Sequence, residues 1–513
     1  MFVLLHLFVI ISVTNGAKIL GIVPTPSYSH QIVFQSLWRE LSLRGHQVTT
    51  ISTHPINDPK LTNLTEIDLS VFRDNSYIEK IMQESQLNII NQIREYYRNM
   101  INTIDRMLDH PEVKKLIHDK NEKFDLVIAE YFFTSVLAFA EKFDCPSIGM
   151  FSLDAWNAMH KMVGNPTHPT LYPDALLPFE GELSLAERVV SFIFYHMNTY
   201  LLDYMQNLQK ELVEKHFGSQ TSVQDLSQNI SLLFINSDPI FHHVRPLVPS
   251  VIQVGGGFHK IPAKPLPKEL KVKLDSATNG FIYFSLGSIA RRDEFLSPGS
   301  IDVLMATFAE LPYTVLWKFD EQLTNKPDNV ILSKWFPQQD ILKHPNIKLF
   351  ITQGGLQSMD EAIYEHVPMI GIPFFGDQPF NVKKMVRKGF GLEIDYRSLE
   401  KETFKEAILE VINNPKYKET LKYLADLAQD QPMTGLEKAV WWSEYVIRHK
   451  GAKHLRSPLL DIPWYQYLLL DVIGVIALVV LVIVCLIYFI LKSIVKLVKY
   501  IFWSKPKPKE KKN

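Results

Sequence analysis

The stretch KLFITQGGLQSMDEAI, from Lys348 to Ile363, predicts a short apolar strand, a turn at Gly354-Gly355 and the start of a helix. A glycine pair at such a junction lets another group come close to the backbone. The free backbone N–H groups and the dipole of the following helix favour an anion there, most often a phosphate. Tight packing is the alternative reason for glycines at this place. Gln353 directly precedes the pair.

Other apolar runs predict further strands on both sides of this stretch. In the same half of the chain these runs are Gly280–Ser288, Thr314–Phe319, Val330–Phe336 and Val367–Phe375. In the first half they are Ala17–Pro24, Gln47–Thr53, Phe124–Glu130 and Ser147–Ser152. The segment Ser29–His46 has helical spacing between two of these strands, which is typical of a βαβ unit.

A segment rich in proline and glycine, residues 246–270, reads as a linker between two halves. We therefore predict two α/β domains with largely parallel sheets, residues 17–248 and 258–455. Ligands of such sheets bind outside the carboxyl ends of the strands. A cleft between the two domains is the natural site.

Both ends of the chain contain predicted targeting or membrane-anchoring segments. Residues 1–16 have the apolar stretch of a signal peptide, and residues 472–491 are uncharged and long enough to cross the ~30 Å hydrocarbon core. Residues 492–513 form a basic tail, which the positive-inside tendency places in the cytosol. Lys509 and Lys511 near the end resemble a dilysine retrieval signal of the endoplasmic reticulum. We predict a single-pass type I protein of that membrane with its body in the lumen.

Composition excludes several classes of function. The 513 residues are 46% hydrophobic and 21% charged, and the net charge of -1 predicts no nucleic-acid partner. With only two cysteines, one inside the apolar span, a disulfide framework is not expected. No metal is expected, because no group of histidine, cysteine and aspartate has ligand spacing. Asn63 and Asn229 begin glycosylation triplets in the predicted luminal part.

Several polar groups follow the predicted strands of the second half. Ser288 ends one strand in small residues, so this end and the glycine pair could hold a diphosphate between them. Glu361 either completes a capping box with Ser358 or, if the helix begins at the glycines, lies in its second turn and could reach a ribose. Trp335 is either a face for a base, with Gln338 beside it, or a core tryptophan. Asp377 and Gln378 suit sugar hydroxyls or a loop turn.

A base for an acceptor proton is predicted in the first half. His30 follows the first strand at the start of a helix, where the helix dipole keeps an imidazole neutral and basic. A carboxylate behind it would fix the tautomer. Glu130 ends another strand at the same edge of the sheet, and Asp125 at the start of that strand is the alternative. The competing interpretation makes His30 a capping or surface residue.

Together these motifs are similar to the UDP-glycosyltransferase superfamily, which includes the glucuronosyltransferases. The similarity runs along the whole stretch from Trp335 to Gly391, and LLFINSDP, RPLVPSVIQVGG, FIYFSLGS and YQYLLLDVIG extend it over nearly all the chain. Gln353 and the following LQS look most like insect members. The resemblance implies a GT-B fold whose C-terminal domain binds the UDP-sugar.

The resemblance also assigns roles to residues. Trp335 and Gln338 would hold uracil and ribose, and Glu361 the ribose hydroxyls. The diphosphate would be held by Ser288, Gln353, Gly354 and Gly355, with Ser358 among the donor-binding residues. Asp377 and Gln378 would hold the sugar, and His30 would be the base supported by Glu130.

Three positions depart from the family pattern. Gln353 stands where most members have histidine, His366 where glycine is usual, and Glu130 where the carboxylate is usually aspartate. Histidine at position 366 is energetically unfavourable if the backbone there needs a positive φ.

We predict an inverting UDP-glycosyltransferase that transfers a sugar, by the insect-like resemblance glucose, to a hydroxyl of a small lipophilic acceptor. Such transfer would serve detoxification or hormone or pigment conjugation. It needs no cofactor, since the UDP-sugar is a co-substrate. The alternatives are a dedicated steroid or membrane-lipid glycosyltransferase and a UDP-sugar-binding membrane protein without turnover. A homo-oligomer is left open.

The acceptor pocket would use aromatic and methionine side chains of residues 131–143, 151–166 and 189–197. The same side chains could equally belong to the protein core or to a surface that faces the membrane.

Overall fold

The computed structural model describes residues 16–73, 89–260, 265–287, 297–320, 323 and 326–503. These residues fall into one unit that ends at Ser457 and a second that begins at Pro458. The predicted signal peptide lies outside the described residues apart from Gly16, as do Ser288 and the last ten residues of the basic tail.

The first half of the larger unit is built on a seven-stranded sheet in the order β3-β2-β1-β4-β5-β6-β7, and all neighbouring strands are parallel. Its strands are β1 Lys18–Val23, β2 Gln47–Ser52, β3 Leu64–Asp68, β4 Leu126–Glu130, β5 Ser147–Phe151, β6 Leu232–Ile235 and β7 Val251–Gln253. The four runs predicted here form β1, β2, β4 and β5. The helices of this half are α1 Tyr28–Leu43, α2 Ile89–Leu108, α3 Pro111–His118, α4 Ala138–Lys142, α5 Asn157–Met162, α6 Leu185–Phe217 and α7 Val223–Gln228.

The second half has a six-stranded parallel sheet in the order β10-β9-β8-β11-β12-β13. Its strands are β8 Phe281–Ser285, β9 Thr314–Lys318, β10 Val330–Ser333, β11 Ile347–Thr352, β12 Met369–Gly371 and β13 Gly391–Glu393. All five predicted runs form strands. The helices are α8 Lys268–Asp275, α9 Pro298–Ala309, α10 Gln338–Leu342, α11 Leu356–Tyr364, α12 Gln378–Lys388, α13 Lys401–Asn413, α14 Pro415–Gln429 and α15 Gly435–His449.

The last helix of this unit, α15, returns to the first sheet. Ala439, Val440 and Val446 are fully buried in the core that β1 and α1 form with their neighbours. A side chain at Gly435 would lie 2.0 Å from the carbonyl oxygen of Val254, so the helix begins directly against the linker. Residues 435–449, which the sequence places within the second domain range, therefore complete the first core.

The smaller unit contains the helices α16 Trp464–Tyr467 and α17 Leu470–Trp503. Among the described residues α17 is the one helix long and apolar enough to cross a membrane, with a mean hydropathy of 3.3. It includes the predicted span 472–491 and continues through Lys492, Lys496 and Lys499, so the first part of the basic tail is helical.

Two of the sequence alternatives are decided by local backbone structure. Helix α11 begins at Leu356 with Gly355 as its N-cap, so Ser358 and Glu361 do not form a capping box. Glu361 lies in the second turn. At the other end of the helix His366 has φ of 57°, the left-handed conformation that glycine adopts more readily.

The strain at His366 predicts that His366→Gly stabilises the fold. A left-handed conformation costs an L-residue about 1–2 kcal/mol, and the greater freedom of glycine in the unfolded chain offsets about half of this gain. The contact of His366 with Asp426 is 3.5 Å long and the carboxylate is exposed, so it contributes little. We expect a higher melting temperature for His366→Gly and no gain for His366→Ala, which keeps the Cβ atom. An equal rise in melting temperature for both variants would show that the imidazole ring, and not the backbone conformation, is the source of the strain.

Candidate functional site

His30 and Glu130 meet at the carboxyl edge of the first sheet. His30 is the third residue of α1, which follows β1, and Glu130 ends the neighbouring strand β4. The Nδ1 atom of His30 lies 3.1 Å from Oε1 of Glu130, and the other oxygen, Oε2, accepts a hydrogen bond of 3.0 Å from the backbone N–H of Thr25. Because a carboxylate only accepts hydrogen bonds, this contact assigns the ring proton to Nδ1 and leaves Nε2 as the basic nitrogen.

The longer side chain of glutamate does not prevent this contact. Glu130 is fully buried and is held by the loop between β1 and α1. The alternative carboxylate, Asp125, is exposed at the opposite end of β4, where it accepts a hydrogen bond from the backbone N–H of Lys18. Asp125 therefore has no access to His30.

Ser152 is a contact of His30 that the sequence analysis missed. Its hydroxyl oxygen lies 2.8 Å from Nδ1 of His30, and the residue is fully buried just after β5. Its carbonyl oxygen accepts hydrogen bonds from Asn236 in the first half and from Gln357 on α11 in the second. A serine directly after a buried strand was the available signal, and its position next to the strand of Glu130 becomes evident only in the sheet order.

The glycine pair lies at the start of α11. Gly354 has φ of 84°, and Gly355 caps the helix without a side-chain hydrogen bond to the first turn. Oε1 of Gln353 is buried without a hydrogen-bond partner among the described residues. Its Nε2 atom occupies the space that a side chain at Gly287, which has φ of 81°, would need. The two strand ends β8 and β11 thus come together as predicted, although Ser288 lies outside the described residues.

Glu361 accepts hydrogen bonds from three side chains. Gln338 donates to Oε2 at 2.7 Å, and Gln339 donates to Oε1 at 2.9 Å. Nε2 of His259, a residue of the linker, lies 3.2 Å from Oε1. Burial would raise the pKa of the Glu361 carboxyl, but the hydrogen bonds and the charge of His259 outweigh burial and lower this pKa. A buried carboxylate held ionised in the cleft suits the hydroxyls of a ribose.

Trp335 is exposed on the cleft, so its interpretation as a core tryptophan is wrong. Its side chain is 57% exposed, and its ring meets the edge of Tyr28 from the first half at 5.5 Å. The ammonium group of Lys318 lies 4.9 Å from the ring centroid and donates to the carbonyl of Gly287. Gln338 follows on α10 and also donates to the hydroxyl of Ser358 at 3.0 Å, which brings the predicted nucleoside-binding residues together.

Asp377 and Gln378 lie at the start of α12, beyond the end of β12. Asn381 donates to Oδ2 of Asp377 at 2.7 Å and to the carbonyl oxygen of Gly354 at 3.0 Å. Burial raises the pKa of the Asp377 carboxyl. Oε1 of Gln378 accepts from the backbone N–H groups of Phe374 and Phe375, so this oxygen holds the loop and Nε2 is the group that could donate to a ligand.

These groups share one cavity of about 670 Å³ between the two halves. The second half supplies Gln353, Gly355, Glu361, Asp377 and the other polar residues described above. The first half supplies His30 and an apolar wall, formed by Ile93, Tyr96, Tyr97, Phe132, Trp156 and Phe194. The volume is that of a site for small molecules.

The predicted acceptor stretches are divided between the cavity and other places. Phe132, Trp156 and Phe194 line the cavity, whereas Met159 and Met162 lie in the core of the first half. Phe192 and Ile193 on the outer side of α6 are exposed. The α2 residues of the wall were missed because their periodicity indicates only an amphipathic helix, without showing which cavity its face borders.

Two further sets of side chains lie away from the cleft. Asn63 and Asn229, the glycosylation candidates, are both exposed. Asp105, Asp109 and His216 come close enough to hold a metal ion, a grouping that the sequence spacing did not indicate. The ammonium group of Lys215 already bonds both aspartates, at 2.6 and 3.2 Å, so this group forms a salt-bridge network.

Comparison with known proteins agrees with this geometry. A family profile described as UDP-glucoronosyl and UDP-glucosyl transferase matches residues 17–507. UDP-glucosyltransferase 2 of Dactylopius coccus is 36% identical over 98% of this chain and 98% of its own length. The chain belongs to this family. It is a glycosyltransferase that moves a sugar from a UDP-sugar to an acceptor.

Other relatives and solved structures extend the comparison. UDP-glucuronosyltransferase 2B7 of Homo sapiens is 33% identical over 90% of each chain, and an ecdysteroid UDP-glucosyltransferase of the Spodoptera littoralis nuclear polyhedrosis virus is 34% identical over 89% of this chain and 93% of its own. The calicheamicin glycosyltransferase CalG4 has a TM-score of 0.56 at 18% identity and covers 85% of this chain and 99% of its own. The two parallel sheets and these neighbours confirm the GT-B fold.

The contact between His30 and Glu130 predicts the effect of their substitution. His30→Ala should lower turnover by about 10²–10⁴-fold if His30 is the general base. Glu130→Gln should also lower turnover, because the amide keeps the size of the side chain but removes the charge opposite the imidazolium. Steady-state rates measure both effects, and binding of UDP should survive because the residues that would hold it lie in the second half.

Asp125→Asn is the matched control for Glu130→Gln. It removes a carboxylate from the other end of the same strand, so turnover should stay within about twofold of wild type. Near wild-type turnover of His30→Ala would show that another group takes the acceptor proton.

Proposed function

We propose that the protein transfers glucose from UDP-glucose, with inversion, to a hydroxyl of a small lipophilic acceptor. The observation that best supports this proposal is the arrangement of the cleft. The His30–Glu130 pair and an apolar wall lie on one side, opposite the starts of α10, α11 and α12. An acceptor resting on the wall can direct its hydroxyl to Nε2 of His30, while a diphosphate can accept hydrogen bonds at the glycine pair.

The proposed reaction is a single displacement. The acceptor hydroxyl gives its proton to Nε2 of His30 as its oxygen forms a bond to the anomeric carbon. The bond from that carbon to the β-phosphate oxygen breaks, and UDP leaves with the bonding electron pair. Glu130 stabilises the imidazolium through Nδ1–H. Gln353 and the backbone N–H of Gly355 would stabilise the diphosphate, whereas the N–H of Gly354 donates to the hydroxyl of Thr352 at 3.3 Å. Attack opposite the leaving group inverts the anomeric centre.

The charge of the cleft supports a neutral sugar over glucuronate. Among the described residues that line the cavity, Lys318 is the only lysine or arginine. Its ammonium group is engaged by Gly287 and lies over Trp335, at the proposed uracil end. The sugar end carries the carboxyl of Asp377, which can form a hydrogen bond with a sugar hydroxyl whether or not it is ionised. The names of the Dactylopius coccus and viral relatives include glucosyltransferase, which supports the same choice.

A panel of donors and acceptors tests this proposal. Membranes that contain the full chain are offered UDP-glucose, UDP-glucuronate and other UDP-sugars with a mixture of phenols and steroids, and product mass is measured. We expect glucosides of several unrelated lipophilic acceptors, as in detoxification. Glucosylation of one steroid or one membrane lipid alone would favour a dedicated enzyme, and glucuronides as main products would refute the choice of glucose.

We also propose that the enzyme lies in the endoplasmic reticulum membrane with its catalytic part in the lumen. Helix α17 and the lysines at its end support a cytosolic tail of about twenty residues. Protease added to intact microsomes should then remove only a C-terminal tag, and detergent should expose the body. Digestion of the body without detergent would reverse the topology.

A further inference from the structure

The linker between the two halves packs along one face of α11. A side chain at Gly257 would lie 2.7 Å from the ring of Tyr364, so the linker backbone touches the helix there. His259 contacts Glu361, and the ammonium group of Lys260 bonds Glu365 and lies 3.2 Å from the centre of the Tyr364 ring. The linker therefore fixes the position of α11, the helix whose start would bind the diphosphate.

His259 is the part of the linker that reaches the cleft residues. Its side chain is fully buried, and its Nε2 atom makes the 3.2 Å contact with Oε1 of Glu361. Its Nδ1 atom has no hydrogen-bond partner among the described residues. Burying an imidazole is destabilising unless its polar atoms find partners, and the hydrogen bond of His259 at 3.2 Å goes to the carboxylate that faces the cavity.

The contacts of Glu361 show what this hydrogen bond controls. Gln338 and Gln339 donate to the carboxylate from the α10 side, and His259 donates from the linker side. Without His259, Oε1 would keep only the amide of Gln339, and the carboxylate could rotate about its last torsion toward α10. The direction in which Glu361 offers its oxygens to the cavity therefore depends on His259.

We propose that His259 is a positioning residue for the donor nucleoside, which holds Glu361 in the orientation that binds the ribose hydroxyls. It acts through Glu361 and does not touch the donor. This inference rests on the donor site of the proposed function. It makes the linker part of the UDP-sugar site.

The charges around His259 give the site a pH dependence. Burial would lower the pKa of His259, but the hydrogen bond and charge of Glu361, the charge of Asp360 and the carbonyl of Gln357 raise this pKa above its usual value. Among the described residues, Lys260 on the linker, Tyr28 from the first half and Tyr283 on β8 are further titratable groups near Glu361. Burial raises the pKa of Asp360 to about 6, so Asp360 is ionised above neutral pH.

The sign of the effect follows from this raised pKa. Protonated His259 stabilises the ionised carboxylate of Glu361, and this contribution is lost as the pH rises through the raised pKa of His259. Affinity for the donor should therefore fall as the pH rises above the ordinary histidine pKa of about 6.5. UDP-glucose is the appropriate probe, because the terminal phosphate of UDP itself titrates near pH 6.

The experiment measures UDP-glucose binding by calorimetry on the full chain in detergent. His259→Ala should weaken binding by about tenfold, the size of one hydrogen bond to a charged group. At saturating UDP-glucose its kcat, and the KM for the acceptor, should stay within about twofold of wild type. If His259 had only a structural role, His259→Ala would lower the stability of the protein without weakening UDP-glucose binding selectively over kcat and the acceptor KM.

Two further variants make the test specific. His259→Gln keeps a hydrogen-bond donor without a titratable charge, so it should bind UDP-glucose more tightly than His259→Ala and lose the fall in affinity with rising pH. Lys260→Ala is the control for the linker as a whole: it removes the bond from the linker to Glu365 but keeps the contact of His259 with Glu361, so it should weaken binding less than His259→Ala does.

Each other outcome overturns a different statement. Wild-type affinity in His259→Ala would refute the inference and leave the proposed function intact. Equal weakening in Lys260→Ala would assign the effect to the fold of the linker and refute the role of His259. Absence of UDP-glucose binding by the wild-type protein itself would refute the donor site, and the inference with it.

Discussion

The structure depends on the fact that neighbouring strands of a parallel sheet end at the same edge. Residues that are far apart in sequence, such as His30 and Glu130, are brought into contact because β1 and β4 are neighbours. The same holds for Gly287 and Gln353, which follow the neighbouring strands β8 and β11. The two sheets present these edges to one cleft, so both reactants of a transfer reaction can be bound by loops on a rigid scaffold.

Helix α11 connects the parts of this cleft. Its start follows the glycine pair, Gln357 in its first turn donates to the carbonyl of Ser152 beside the base, and Glu361 in its second turn faces the cavity. Ser152 in turn contacts His30. A single short helix therefore relates the proposed phosphate, ribose and base positions, and a displacement of α11 would alter all three.

Much of this arrangement could be predicted from the sequence. Long apolar runs between turn residues indicated the strands that carry the site, whereas β3, with its polar sequence, and the three-residue strands β7 and β13 gave no such signal. The pairing of His30 with Glu130 followed from strand ends. Ser152, His259 and the α2 residues of the acceptor wall could not be found, because their roles arise from contacts between distant segments. Trp335 was assigned to the core as one alternative because aromatic residues after a strand are usually buried, and its place at the mouth of a cleft overrides that rule.

The return of α15 to the first sheet has a mechanical consequence. The chain enters the second half after Gln253 and leaves it at Gly435, and these crossings lie side by side, since the backbone at Gly435 touches Val254 and Lys438 donates to the carbonyl of Gln253. The second half is thus an insertion whose two ends are fastened at one place. A body held by a single connector can swivel and separate, but one held by two adjacent connectors can only swing about the axis through them. Opening of the cleft should therefore be a rotation about one axis, with the widest displacement at the rim farthest from residues 253 and 435.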